Sequence, residues 1–216
     1  GEDIKYRPFL VKEQKILLMA QESKKDDEVV DAMSQLINDC TFGKVDPKKC
    51  PMFDAEYIFL KLRAKSIGEK ADIQVTCPDD EKTKVNVSVN IDEVECNITD
   101  DHNSTVQITD SVKIIFGYPL LDSFKNITDK NKTKALFDMI SSCVQEIHYG
   151  EDIYNKIDIS NKELNEFIDS LDTEQFKRVS DFFETMPKLR HPIEVINPET
   201  KVKSEIMLEG LQTFLA

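Results

Sequence analysis

Residues able to ligate a metal gather around Ile73-Gln-Val-Thr-Cys77-Pro78-Asp79-Asp80, a strand running into a Cys-Pro turn, with Cys96 and His102 downstream. Thiolate, carboxylate and imidazole are the groups that hold Zn²⁺ in proteins. The same pattern recurs 120 residues later as Ile193-Glu-Val-Ile-Asn197-Pro198-Glu-Thr200, and each turn leads through charged residues into a second arm, at Val85 or Val202. Two strand–turn–strand units of this form are the parts of a zinc ribbon, in which each turn supplies a pair of ligands. Here one turn offers Cys77 and Asp80 and the other Asn197 and Thr200. An amide and a hydroxyl do not replace thiolates at useful affinity. The shape of a ribbon is therefore expected without its metal, and Cys77 reads as a small buried side chain at a turn. A small metal-binding protein using Cys77, Asp80, Cys96 and His102 is an alternative, although that set lacks any standard ligand spacing.

Catalytic patterns are absent from the sequence. It contains no G-x-S-x-G, no P-loop, no G-x-G-x-x-G and no H-E-x-x-H. Six glycines leave little material for phosphate-cradling turns. Cys143 and His148 fall on one expected helix, about 140° apart around its axis at ~100° per residue, which does not make a dyad. Cys143 reads instead as a small core residue. The carboxylate runs Asp26-Asp27-Glu28, Asp79-Asp80-Glu81 and Asp100-Asp101 sit in loops or at helix starts, where solvent and the helix dipole account for them. No catalytic residue, cofactor or metal site is assigned.

The elements that would position such groups follow from hydrophobic period. A helix carries Ile16 to Ala20. Asp26 or Asp27 then caps a second, whose Val29, Met33, Leu36, Ile37 and Cys40 form one stripe. Asp54 opens a third with Tyr57, Ile58, Phe59, Leu60 and Leu62, apolar around much of its circumference and ended by Gly68; such a helix is central or faces a partner. From Asp72 to Phe116 the period becomes two, the mark of antiparallel strands, with Glu95 to Ser104 an exposed connection. Thr133 caps a long helix running through Cys143, Val144 and Ile147 to Gly150. Two capping boxes follow, Ser160 with Glu163 and Asp172 with Gln175, and Pro187 closes the second helix. A last short helix spans Leu208 to Leu215. The expected fold is α+β, mostly helical with a small antiparallel β layer containing two ribbon-like hairpins. It is organised as 1–70 (helical), 71–118 (β), 119–187 (helical) and 188–216 (hairpin and short helix), forming one composite domain or a helical domain with a β subdomain.

Composition narrows the partners. With 28 Lys and Arg against 41 Asp and Glu, the net charge of −13 repels phosphate backbones and anionic lipid, so neither nucleic acid nor a membrane is expected to bind directly. No leading apolar stretch and no run of about 18 apolar residues is present. Five widely spaced cysteines in a chain of 216 residues indicate a reducing compartment. The five N-x-S/T sequons then read as chance products of an Asn-, Ser- and Thr-rich chain. An acidic decoy that captures a basic nucleic-acid-binding host protein is a second alternative, weakened by the alternation of acidic and basic residues along most helices.

Contact with a protein partner is the better-supported role. The extended aromatic arm with Tyr6 and Phe9, the third helix with Tyr57, Phe59 and Leu60, and the terminal Phe214 offer more apolar surface than one core face requires. The strings Lys5-Tyr-Arg-Pro-Phe-Leu-Val-Lys-Glu-Gln-Lys-Ile-Leu-Leu-Met-Ala20 and Phe53-Asp-Ala-Glu-Tyr-Ile-Phe-Leu-Lys-Leu-Arg-Ala-Lys-Ser-Ile-Gly68 resemble the baseplate hub proteins of T4-type tailed bacteriophages. Leu208-Glu-Gly-Leu-Gln-Thr-Phe214 is similar to the end of that family as well. The resemblance implies a non-enzymatic structural subunit or assembly chaperone of the tail hub, with other hub proteins as partners. It also implies synthesis in the cytoplasm of the infected bacterium and a place in the virion tail baseplate.

Overall fold

The computed structural model describes residues 3–23, 25–124 and 132–214. In chain order the described helices are α1 (Val11–Ser23), α2 (Asp26–Cys40), α3 (Met52–Ile67), α4 (Lys132–Cys143), α5 (Asn161–Asp169) and α6 (Thr173–Thr185). The strands are β1 (Lys70–Thr76), β2 (Lys84–Asn90), β3 (Glu95–Asn97), β4 (Thr105–Gln107), β5 (Val112–Phe116), β6 (Val144–Tyr149), β7 (Asp152–Asn155), β8 (Lys188–Ile196) and β9 (Lys203–Glu209). Every strand pairing is antiparallel. The α+β expectation holds. The chain divides into two compact units, 1–97 with 187–216 and 98–186.

In the first unit α3 is central, packed against α2, β3 and β8, with Ala55, Phe59, Leu60, Leu62 and Ala64 buried along it. Burial on so many sides explains why its sequence is apolar around the axis. The α2 stripe is buried as its spacing requires, with Leu36, Ile37 and Cys40 fully enclosed. Neither Asp26 nor Asp27 caps α2, however. Lys25 is the N-cap and makes no side-chain capping bond, and α3 starts at Met52 after Pro51, before Asp54. Strands β1 and β2 form one hairpin, with Ile73 opposite Val87 and Val75 opposite Val85. β8 and β9 form a second, extended by β3 in the order β3-β8-β9. Asn97, the last residue before the second unit, is paired with Lys188, just after it.

The second unit is a four-stranded sheet in the order β4-β5-β6-β7. Ile114, Phe116, Val144 and Ile147 of the sheet share a core with Ile140, Leu164, Ile168, Val179 and Phe182 of the helices. Both capping boxes form: Ser160 and Glu163 exchange bonds at the start of α5, and Asp172 and Gln175 at the start of α6. The long helix expected through Ile147 ends at Cys143, and Val144–Tyr149 is strand. The register explains the misreading. Ile115 pairs with Glu146 and Phe116 with Val144, so Gln145 is an extra residue in a β-bulge. A bulge resets the alternation and lets Val144 and Ile147, three apart, both face the core. That spacing imitates a helix. The Gln145 side chain also fills the place where a Cβ on Gly117 would sit, 2.8 Å from its Nε2. Gly150, with φ +60°, turns the β6–β7 hairpin instead of capping a helix. Thr133 lies within α4, and the expected terminal helix is β9 followed by a 3₁₀ turn over Leu211–Phe214.

Candidate partner-binding surface

The arm before α1 is pinned to the first unit by backbone and side-chain bonds. Arg7 N donates to the Cys40 carbonyl (3.0 Å), at the end of α2, and Phe9 N donates to Ser66 Oγ (2.8 Å), on the last turn of α3. The Phe9 ring lies 5.9 Å from that of Phe59. Glu13 holds the remaining joint: its Oε1 accepts from Arg7 Nη2 (2.9 Å) and its Oε2 from Leu10 N (2.7 Å). Leu10 precedes the helix and Glu13 is at its third position, so the carboxylate makes the return bond of a capping box with no N-cap side chain to answer it. Glu13 is fully buried. Burial alone would raise its pKa, but the Arg7 and Leu10 donors outweigh that and hold it down to about 2. The two N-terminal strings that resemble hub proteins are thus brought into contact with each other.

This pinning decides which face of α1 is free. Glu13, Leu17 and Ala20 are buried on one side, while Val11 (83% exposed), Leu18 and Met19 (59%) lie outside with Lys12 and Lys15. Val11 and Leu18 are seven residues apart, which places them on one line of the helix. α1 therefore carries a second apolar stripe, facing solvent. Tyr6 and Leu10 of the arm are also exposed. Of the other expected partner residues, Phe9 and Tyr57 are half-buried, with Lys61 Nζ 5.2 Å from the centre of the Tyr57 ring. Phe59 and Leu60 are fully buried in the core. The side chain of Phe214 lies outside the described residues. The α1 stripe escaped the sequence reading because Ile16 to Ala20 is an unbroken apolar run, and a run does not say which of its members α2 covers.

The paired turns take the shape expected of a ribbon. Glu81 N donates to the Cys77 carbonyl (3.0 Å) and Lys201 N to the Asn197 carbonyl (2.9 Å), and Glu81 and Lys201 have φ of 56° and 63°. The Asp79 carboxylate joins them. Asn197 Nδ2 donates to both oxygens of Asp79 (3.0 Å each), and Thr200 Oγ1 donates to Asp79 Oδ2. These bonds hold the Asp79 carboxyl below its ordinary pKa, Thr200 contributing most. Asp80 faces its own turn, accepting from Thr83 Oγ1 (2.5 Å) and from the amides of Lys82 and Thr83 (3.0 Å each).

The residues of the alternative metal set are divided between the two units. Cys77 and Cys96 belong to the first unit and His102 to the second. There His102 Nδ1 bonds Thr185 Oγ1 and Nε2 bonds the Tyr118 hydroxyl, both at 3.0 Å, leaving neither ring nitrogen for a metal. Among the described residues no group of three or more His, Cys, Asp or Glu is placed to hold an ion. All five thiols are pushed up by burial, Cys96 and Cys143 to about 11, so none is an activated thiolate. Cys143 ends α4 and His148 lies in β6, where its Nε2 contacts Glu146 (2.7 Å).

The family profile described as T4 bacteriophage base plate protein matches residues 1–216. The chain belongs to that family. No curated protein and no solved structure showed significant similarity to it. Membership points to a structural or assembly role in the phage baseplate, among other baseplate proteins and in the virion tail. Among the described residues of this baseplate protein, no helix is long and apolar enough to cross a membrane.

Proposed function

We propose that the protein is a non-enzymatic component of the tail hub, a structural subunit or an assembly chaperone, which works by holding other hub proteins and is made in the cytoplasm of the infected bacterium. The observation that carries this reading is the solvent-facing apolar stripe of α1, presented by an arm that is itself rigidly tied down. A surface apolar group fixed in place needs no ordering when a partner arrives, and that lowers the entropic cost of association. Lys5, Lys12 and Lys15 are exposed on the arm and α1 and outnumber the exposed Asp3 there, while Glu13 is buried and paired. The surface is locally cationic in a chain of net charge −13, and it suits an acidic apolar partner face. Tyr6 and Leu10 extend it, Phe9 and Tyr57 border it, and Phe59 and Leu60 support it from beneath.

Co-expression with the other hub proteins followed by size-exclusion chromatography tests the proposal. One of them is expected to co-migrate with the wild-type chain. Leu18→Glu combined with Met19→Glu, at exposed helical positions where Glu is well tolerated, is expected to weaken that association about tenfold or more. Failure of the wild type to co-migrate with every hub protein would sink the proposal.

A further inference from the structure

The two edges of the four-stranded sheet in the second unit are finished differently. β4 is three residues long, and Arg178 of α6 donates from Nη1 to the carbonyls of Gln107 (3.2 Å) and Ile108 (3.0 Å) beside it. A short strand with a charged side chain on its carbonyls is a guarded edge. Among the described residues β7 has no such guard. All four of its residues are exposed, Ile153 (56%) and Tyr154 among them, and Tyr149 before it and Ile157 (92%) after it are exposed as well. Among the described residues, β7 pairs only with β6.

The backbone is also arranged to receive a strand. Gly150-Glu151 is a two-residue turn, with Tyr149 and Asp152 the first pair beyond it. In such a hairpin the pair nearest the turn is hydrogen-bonded, so alternation points the N–H and C=O groups of Ile153 and Asn155 away from β6. The charge around this edge has one sign. Glu151, Asp152 and Asp158 are exposed, while the neighbouring cation, Lys156, is half-buried and donates to the Ser142 carbonyl.

We propose that β7 is a docking edge for an extended segment of another protein, alternately apolar and bearing Lys or Arg, which adds to the sheet as a fifth strand. Successive side chains of β7 alternate between faces, so the apolar side chains of the segment meet Ile153 on one face, and its lysines or arginines meet Tyr154 and Asp152 on the other. A second copy of this chain is disfavoured as the occupant because it would bring the same acids to the same edge. This surface lies in the other unit from α1 and does not depend on the arm.

The test uses the full chain and a labelled peptide, Lys-Val-Thr-Val-Lys-Val-Thr-Val-Lys, with the same peptide carrying Glu for Lys as control. Fluorescence anisotropy is expected to show binding of the lysine peptide about tenfold or more tighter than the control and weakened by salt. Amide exchange of Ile153 and Asn155 is expected to slow in the complex. Ile153→Pro removes an outward N–H at an edge, where proline is tolerated, and is expected to abolish binding. Should that variant lose its fold, Glu151→Lys with Asp152→Lys is expected to reverse the preference between the peptides. Equal binding of both peptides, or unchanged binding by a folded Ile153→Pro variant, would refute the proposal. So would a wild-type dimer in sedimentation that Ile153→Pro disperses.

Discussion

Glu13 combines a helix cap, an ion pair and a buried charge in one side chain, and its titration should be visible in stability. Its folded pKa of about 2 lies below the ordinary 4.5, so its contribution is complete above pH 4.5 and is lost as the pH falls from 4.5 towards 2. Glu13→Gln is expected to lower stability at pH 7 by about 1–3 kcal/mol, since Arg7 loses its charged acceptor and is itself partly solvated. Denaturant melts of variant and wild type at pH 7 and pH 2.5 check this. The gap should narrow at the lower pH, and a gap equal at both would mean the carboxylate charge is irrelevant. The spacing of Leu10 and Glu13 hid this role from sequence reading. A capping box is recognised by its N-cap acceptor, as at Ser160 and Asp172, and Leu10 has none to offer. Tyr6 on the arm was readable as exposed. Phe59 and Leu60 were readable only as apolar, because whether an apolar helix meets core or partner is decided by the elements around it.

At the level of elements, the strand-turn echo between residues 73–80 and 193–200 was the most informative pattern in the sequence, since the second turn does come to the first. What the pattern did not reveal is that Asp79, between the two ligand positions, would supply the bond joining the turns. Removing it takes away both 3.0 Å acceptor contacts of the Asn197 amide, in a buried residue. Asp79→Ala is expected to lower the melting temperature by about 2–4 °C, and thermal denaturation at neutral pH measures it. The complementary change is constructive. Asp80→Cys, Asn197→Cys and Thr200→Cys together with native Cys77 would place a thiol at each ribbon ligand position. This variant is expected to bind one Co²⁺ or Zn²⁺ per chain with thiolate-to-cobalt absorption, while the wild type shows none. Absence of that absorption would mean the turns do not present tetrahedral positions. Strand β6 was the element least accessible to sequence reading, since a bulge at Gln145 turned a two-residue period into a helical one.

In the whole molecule, the second unit is an insertion in the first. Asn97 and Lys188 are partners across an antiparallel ladder, so the points where the chain leaves and re-enters the first unit are neighbours, Cα atoms ~5 Å apart. A two-residue Asn-Gly turn in place of residues 98–187 should therefore close β3 and β8 into a simple hairpin. The shortened chain is expected to fold, with cooperative unfolding by circular dichroism; a molten or insoluble product would show that the first unit needs the second. The same pairing orders events during translation. Residues 98–186 form a continuous segment and can complete their own core as they leave the ribosome. The first unit begins earlier and finishes later, because α3 and β3 wait for β8, which is made only after the whole insertion. At ~5–20 residues per second, α3 spends several seconds of each synthesis with apolar flanks uncovered. A nascent chain of this protein therefore presents its central helix only partly covered for the length of an entire second unit, and the part translated first is the last to become native.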